Sequence, residues 1–147
     1  MISLPLEEFK QISVKDLLIS SEKVAHVQVA NSLEHALLVL IKSGYSAIPV
    51  LDATYKLHGL LSTAMILDQT LGLERIEFER LEHMKVEKVM NRDIPRLKLD
   101  DTFATGLEAV IDHPFICVEN EDGYFEGILT RRAILKLLNK KVRRHNK

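Results

Sequence analysis

Thr130-Arg131-Arg132 sets a hydroxyl and two guanidinium groups side by side, immediately before Ala133-Ile134-Leu135, a run that reads as helical. The chemistry this suits is anion binding. A threonine at a helix start caps a backbone N–H, and the unsatisfied N–H groups of the first turn favour negative charge. Guanidinium groups there add charge and a planar fork that matches phosphate oxygens two at a time. The helix dipole disfavours cations at that end, so two in succession invite an anionic ligand as their explanation. The alternative is a solvated pair on an exposed helix start.

Catalytic and metal chemistry find no comparable set. The six histidines (His26, His35, His58, His83, His113 and His145) show neither i, i+4 pairing nor a metal-ligand spacing with the single cysteine. Gly-rich phosphate loops, a nucleophile elbow and a kinase-like set are all absent from the sequence, so a non-enzyme with no cofactor is expected. Cys117 rules out an intrachain disulfide and suits a reducing compartment; mid-strand in Phe115-Ile116-Cys117-Val118, it reads as a buried, inert thiol. A net charge of -1 gives no overall field to draw in nucleic acid or an anionic membrane. The basic run from Lys140 to Lys147 reads as a solvated helix end. Glu7-Glu8 follows Met1 to Leu6 directly, so no signal peptide is expected, and the apolar stretches are too short to span a bilayer. A cytoplasmic protein is the expectation.

The elements that must position these groups come as a duplication. Val50 to Thr63 returns as Val118 to Arg131, each an apolar run, a polar turn, an apolar run containing Gly59 or Gly127, and a hydroxyl residue that opens a helix. In the first copy Val27 and Val29 mark a short strand. Asn31, with Glu34 three positions on, marks the start of a helix with Leu33, Ala36, Leu37, Leu40 and Ile41 on its apolar face and Gly44 as its C-cap. A strand pair and a helix capped by Ser62 follow. In the second copy Leu97 and Leu99 answer Val27 and Val29. Asp101 is the expected cap of a helix carrying Phe103, Leu107, Val110 and Ile111. Asp122-Gly123 turns the strand pair, and Thr130 opens a helix with Ile134, Leu135 and Leu138 inward. Pro49 marks an interrupted sheet edge. The chain divides as an N-terminal segment 1–12, repeat one 13–70, a connecting helix or helical loop 71–84, repeat two 85–139 and a basic tail 140–147. The fold class is α/β (α+β): two pseudo-symmetric β-α-β-β-α repeats with packed sheets in one two-layered domain.

Gly44-Tyr45-Ser46-Ala47-Ile48-Pro49-Val50, then Gly59-Leu60-Leu61-Ser62 and later Gly127-Ile128-Leu129-Thr130, resemble the cystathionine-β-synthase (CBS) domain. Two in tandem make a CBS pair, or Bateman module, here covering roughly residues 13 to 139. The resemblance implies two clefts between the repeats, adenine-nucleotide binding and a flat homodimer. With no further domain in the sequence, the module itself is the expected functional unit. In length, layout and site residues the chain is similar to the small stand-alone CBS proteins of Gram-positive bacteria that bind cyclic di-AMP.

By that resemblance the ligand-binding residues are Lys23, Val24, Ala25, Tyr45, Ser46, Ala47, Ile48 and Pro49 with Thr130, Arg131 and Arg132, and His26 lies close by. Ala25 and Ala47 would admit a flat base, with Ile48 or Tyr45 supplying a face; the same alanines also suit a tight core. The second cleft would join Asp93, Ile94, Pro95, Phe115 and Ile116 with Ser62, Thr63, Ala64 and Met65. Many nucleotide-binding members carry an aspartate that holds the ribose hydroxyls, where this chain has Met65 and Ala133. A cyclic dinucleotide has its 3′-oxygen esterified and offers no such diol. The resemblance therefore implies a second-messenger receptor that binds cyclic di-AMP and regulates a protein partner, by family analogy a guanosine-tetraphosphate synthetase/hydrolase or a pyruvate carboxylase. An AMP, ATP or NAD sensor and a ligand-free interaction scaffold are the alternatives.

Overall fold

The turn between the paired strands is where the two copies agree most closely. Asp52 Oδ1 accepts from the N–H groups of Thr54 (2.8 Å) and Lys56 (3.2 Å). Asn120 Oδ1 accepts from those of Asp122 (2.9 Å) and Tyr124 (3.0 Å). Both are Asx turns, in which a short side-chain oxygen stands in for a backbone carbonyl. The left-handed position of the turn is Gly123 in the second copy (φ 87°) and Tyr55 in the first (φ 76°). The tyrosine ring meets His26 edge-on at 5.4 Å.

Asp52 is held well below the ordinary carboxylate range, first by the Thr54 hydroxyl and then by His58 at 2.8 Å. Because Asn120 builds the same turn without a charge, Asp52→Asn should move the melting temperature by under about 3 °C at pH 7. A carboxyl depressed on folding contributes stability above its unfolded pKa of about 3.9 and loses it as pH falls. On going from pH 7 to pH 3 the wild type should therefore begin to lose a contribution that the variant lacks, and its melting temperature should fall more than the variant's.

A computed structural model describes residues 6–145; Met1 to Pro5 of the expected N-terminal segment, and Asn146 and Lys147 of the basic tail, lie outside them. The helices are α1 (Leu6–Lys10), α2 (Leu33–Ser43), α3 (Thr63–Asp68), α4 (Phe103–Ala109) and α5 (Arg131–His145). The strands are β1 (Ile19–Ser20), β2 (Val27–Gln28), β3 (Ala47–Leu51), β4 (Leu57–Ser62), β5 (Arg96–Lys98), β6 (Phe115–Glu119) and β7 (Phe125–Thr130). The repeats thus read β2-α2-β3-β4-α3 and β5-α4-β6-β7-α5, in the α/β class expected.

Two compact units form, one of residues 25–94 and the other of residues up to 24 together with those from 95 onward. The first holds the sheet β2-β3-β4 over a core that includes Leu33, Ala36, Leu40, Ile48, Val50 and Ile66. The second holds the sheet β1-β7-β6-β5 over Phe103, Val110, Ile116, Val118, Leu129 and Ile134.

These units are not the sequence repeats. Residues 13–24, counted with repeat one, pack on the second strand pair: β1 runs antiparallel to β7, with Ile19 opposite Ile128. Residues 85–94, counted with repeat two, pack on the first pair, where the Leu60 N–H and the Asn91 carbonyl are 3.0 Å apart. Each crossing segment buries apolar side chains, Val14 in one core and Val86 with Met90 in the other. Each also needs a glycine opposite. A Cβ on Gly127 (φ 149°) would stand 2.1 Å from the Ile19 carbonyl oxygen, and one on Gly59 would stand 2.3 Å from that of Asn91.

Smaller corrections come from local geometry. The caps of α2 and α4 are Ser32 and Thr102, each accepting from the N–H three residues on at 3.1 Å. The expected caps Asn31 and Asp101 instead accept from the N–H three residues back, on Gln28 (2.8 Å) and Lys98 (2.7 Å). Ile41 and Leu135, expected inward, are 65% and 57% exposed because each lies at the edge of its helix's apolar arc, and Ile111 is 67% exposed because α4 ends at Ala109 and leaves it in the turn that follows. Pro49 sits on the central strand of its sheet, not an edge; β2 pairs only with Val50 and Leu51, so no ladder on that side reaches it. Over 71–84, where a connecting helix or helical loop was expected, Leu71 bridges to Ile76 and a 3-10 helix covers Phe78–His83. Burial pushes the Cys117 thiol up to about 12, against a smaller opposing effect of Arg96.

Candidate functional site

The N-terminus of α5 is built from β7 outward. Thr130 ends the strand, and its hydroxyl oxygen accepts from the Ala133 N–H at 3.0 Å, while the Arg131 N–H donates to the Pro114 carbonyl at 2.9 Å. The first copy repeats the arrangement: Ser62 accepts from Met65 (3.1 Å), and Thr63 donates to Ser46 (3.0 Å). The two copies differ in the pair of residues after the hydroxyl, Thr63-Ala64 in the first and Arg131-Arg132 in the second.

Arg131 turns back to the end of α4, where its Nε donates to the Val110 carbonyl at 2.9 Å and one Nη to that of Ile111 at 3.2 Å. The last carbonyls of a helix lack intrahelical partners and carry the negative end of its dipole, which suits a cation. The guanidinium is therefore fixed in place by the protein itself. Arg132 is exposed, and among the described residues its guanidinium has neither a hydrogen bond nor an ion pair. One cation is braced and the next is available.

The 3-10 turn Ser21–Lys23 packs along β7, so Lys23 and Val24 share a unit with Thr130, Arg131 and Arg132. Lys23 is exposed and Val24 buried. The other expected contacts, Ala25, Tyr45, Ser46, Ala47, Ile48 and Pro49, belong to the unit of residues 25–94. There Tyr45 and Ser46 are exposed, and Ala25 and Ala47 are half-buried. Ile48 is fully buried in the core, so its side chain supplies no face to a base and only its backbone could meet one. The cause is strand alternation: Ile48 and Val50 point into the core, while Ala47 and Pro49 point to the opposite face. His26 is engaged with Tyr55.

In the second set, Ser62 caps α3, Ile94 is buried and Ile116 lies in a core, while Asp93 is exposed. Arg131's bracing carbonyls, on Val110 and Ile111, escaped the sequence reading, because backbone acceptors carry no side-chain signal. Among the described residues no three His, Cys, Asp or Glu side chains gather where a metal could sit. No described helix is long and apolar enough to cross a membrane.

Comparison with known proteins rests on the same repeats. The model of the CBS domain matches residues 14–71 and again 86–140. The chain belongs to the CBS-domain family, with two domains in tandem. Over 147 residues, the whole of both chains, it is 55% identical to cyclic di-AMP receptor B of Bacillus subtilis (strain 168). Among solved structures, a CBS domain-containing protein from Bacillus anthracis str. Ames Ancestor is 80% identical, with a TM-score of 0.88 over 94% of this chain and 100% of that one. CbpB of Listeria monocytogenes, solved in complex with c-di-AMP, is 57% identical, with a TM-score of 0.83 over 88% of this chain and 97% of that one. The CBS repeats matched at 14–71 and 86–140 each begin with a crossing segment that packs on the other repeat's strand pair.

Proposed function

We propose that this CBS pair is a non-enzymatic cytoplasmic receptor that binds cyclic di-AMP and changes its affinity for a protein partner with ligand occupancy. The observation that carries this reading is the start of α5: a braced Arg131, an available Arg132, a capping Thr130 and, at the next position, Ala133. Arg131 and Arg132 neutralise the phosphates, and the Thr130 hydroxyl, whose oxygen already caps the helix, donates its proton. Lys23 adds a third cation. Ala25, Ala47 and the Ile48 backbone frame an adenine, with Tyr45 and Ser46 at the margin. Ala133 leaves no carboxylate to hold a free ribose diol or to repel a bridging phosphate. Likeness to the B. subtilis receptor and to the Listeria complex supports the choice of ligand.

The protein acts as a homodimer. Each unit leaves equivalent sequence positions apolar and exposed, Ile41 and Leu67 in one and Ile111 and Leu135 in the other. Such repeated exposed apolar side chains fit a self-complementary interface. Partner regulation is linkage: the ligand shifts partner binding only by its differential affinity for the free and complexed receptor. By family analogy the ligand-free form binds the partner, a guanosine-tetraphosphate synthetase/hydrolase or a pyruvate carboxylase.

Isothermal calorimetry tests the ligand. Cyclic di-AMP should bind with a dissociation constant of about 1 μM or tighter, and AMP, ATP and NAD at least about tenfold more weakly. Tighter binding of AMP would make this an energy sensor, and no binding of any nucleotide would make it a scaffold.

A further inference from the structure

Of the chain's 20 lysines and arginines, seven lie on α5, which has no acid; the other thirteen stand against 21 aspartates and glutamates. The near-neutral chain is therefore strongly divided in charge. Arg132, Lys136, Lys140 and Arg144 follow one another at four-residue steps, with Arg143 beside them, so they form one stripe about 18 Å long. All five are exposed, and among the described residues none makes a side-chain hydrogen bond or ion pair. Lys141, on the other side of the helix, pairs with Glu8 at 2.5 Å.

The helix dipole accounts for cations in the last turn only. Lys136 lies in the middle of the helix, and like charges four residues apart destabilise a helix. Three such pairs in succession, with no acid between them, set a local cost that an external anion would offset. The opposite face of α5 cannot serve a membrane, because Ile134, Leu137 and Leu138 are packed against the core. The stripe has no aromatic side chain on which a base could stack, and the excess of acid over the remaining chain repels a long polyanion.

We propose that the α5 stripe of Lys136, Lys140, Arg143 and Arg144 is a docking surface for a protein bearing a row of carboxylates. This rests on the receptor reading for its biological use, since the stripe continues directly from Arg132, where ligand phosphate is placed. A phosphate there lowers the positive potential at one end of the surface an acidic partner meets.

The test uses the full chain and its Lys140→Glu/Arg143→Glu variant, whose altered residues have no role in ligand binding. Fluorescence anisotropy would follow a labelled 16-residue peptide of repeating Glu-Glu-Leu, with a 16-nucleotide oligouridine and phosphatidylserine vesicles as the other probes. The peptide should bind best, its affinity should fall as salt rises, and the variant should lose about tenfold or more. Melting temperature should not fall in the variant, because Lys140→Glu relieves two of the three like-charge pairs, and cyclic di-AMP affinity should be unchanged, which separates failure of this surface from failure of the receptor reading. Equal peptide binding by variant and wild type, no peptide binding, or tighter capture of the RNA or vesicles would overturn the proposal.

Discussion

Arg132→Met should weaken cyclic di-AMP binding about tenfold to a hundredfold, a loss of about 1.5–3 kcal/mol, the scale of a hydrogen bond to a charged group. Its melting temperature should stay within a degree or two of wild type, because the side chain has no protein partner to lose among the described residues. Arg131→Met should behave differently. That change also strands the Val110 and Ile111 carbonyls at the end of α4, so affinity and melting temperature should fall together. Calorimetry and thermal denaturation on the two variants distinguish the roles. Undiminished affinity in Arg132→Met would remove the start of α5 from the ligand's contacts.

The largest stability effect belongs to Gly127. At φ 149° its backbone occupies a region open almost only to glycine, and an added Cβ would lie 2.1 Å from the Ile19 carbonyl oxygen. Gly127→Ala should cost about 3 kcal/mol or more and lower the melting temperature by roughly 6–12 °C. Gly44→Ala is the control. Gly44 also has a positive φ, 76°, but nothing lies within 4 Å of its would-be Cβ, so only the strain of about 1 kcal/mol applies. Similar melting temperatures for the two variants would show that the approach of β1 contributes little.

What the sequence made legible were features encoded locally and written twice. The order of strands and helices, the Ser62 and Thr130 caps and the Gly44 stop each depend on a residue type at a fixed offset, and each is found. Ser32 and Thr102 were missed because Asn31 and Asp101, one position earlier, have equal capping propensity. Only the backbone path decides between neighbours, and here it gives the amide or carboxylate to the preceding strand. The crossing segments were illegible for a different reason. Val14 and Val86 are apolar in either arrangement, and no local pattern says which strand pair a short segment will cover. In the candidate site, the cations could be read from composition and position. The burial of Ile48 depends on which face of β3 meets the core, and the bracing of Arg131 depends on backbone oxygens that no residue name announces.

The crossing of β1 onto β7 also imposes a schedule on synthesis. The unit of residues 25–94 is continuous in the chain and has all its parts once Ile94 has been translated. Ile19 emerges before it, yet its pairing residue, Ile128, is polymerised more than a hundred residues later. At about 5–20 residues per second, that delay is roughly 5–20 s. For that interval the nascent protein carries an unmatched N-terminal strand, with Val14 not yet covered, beside a half that is already complete. The first-made strand thus finds its place only after the last strand pair has been made.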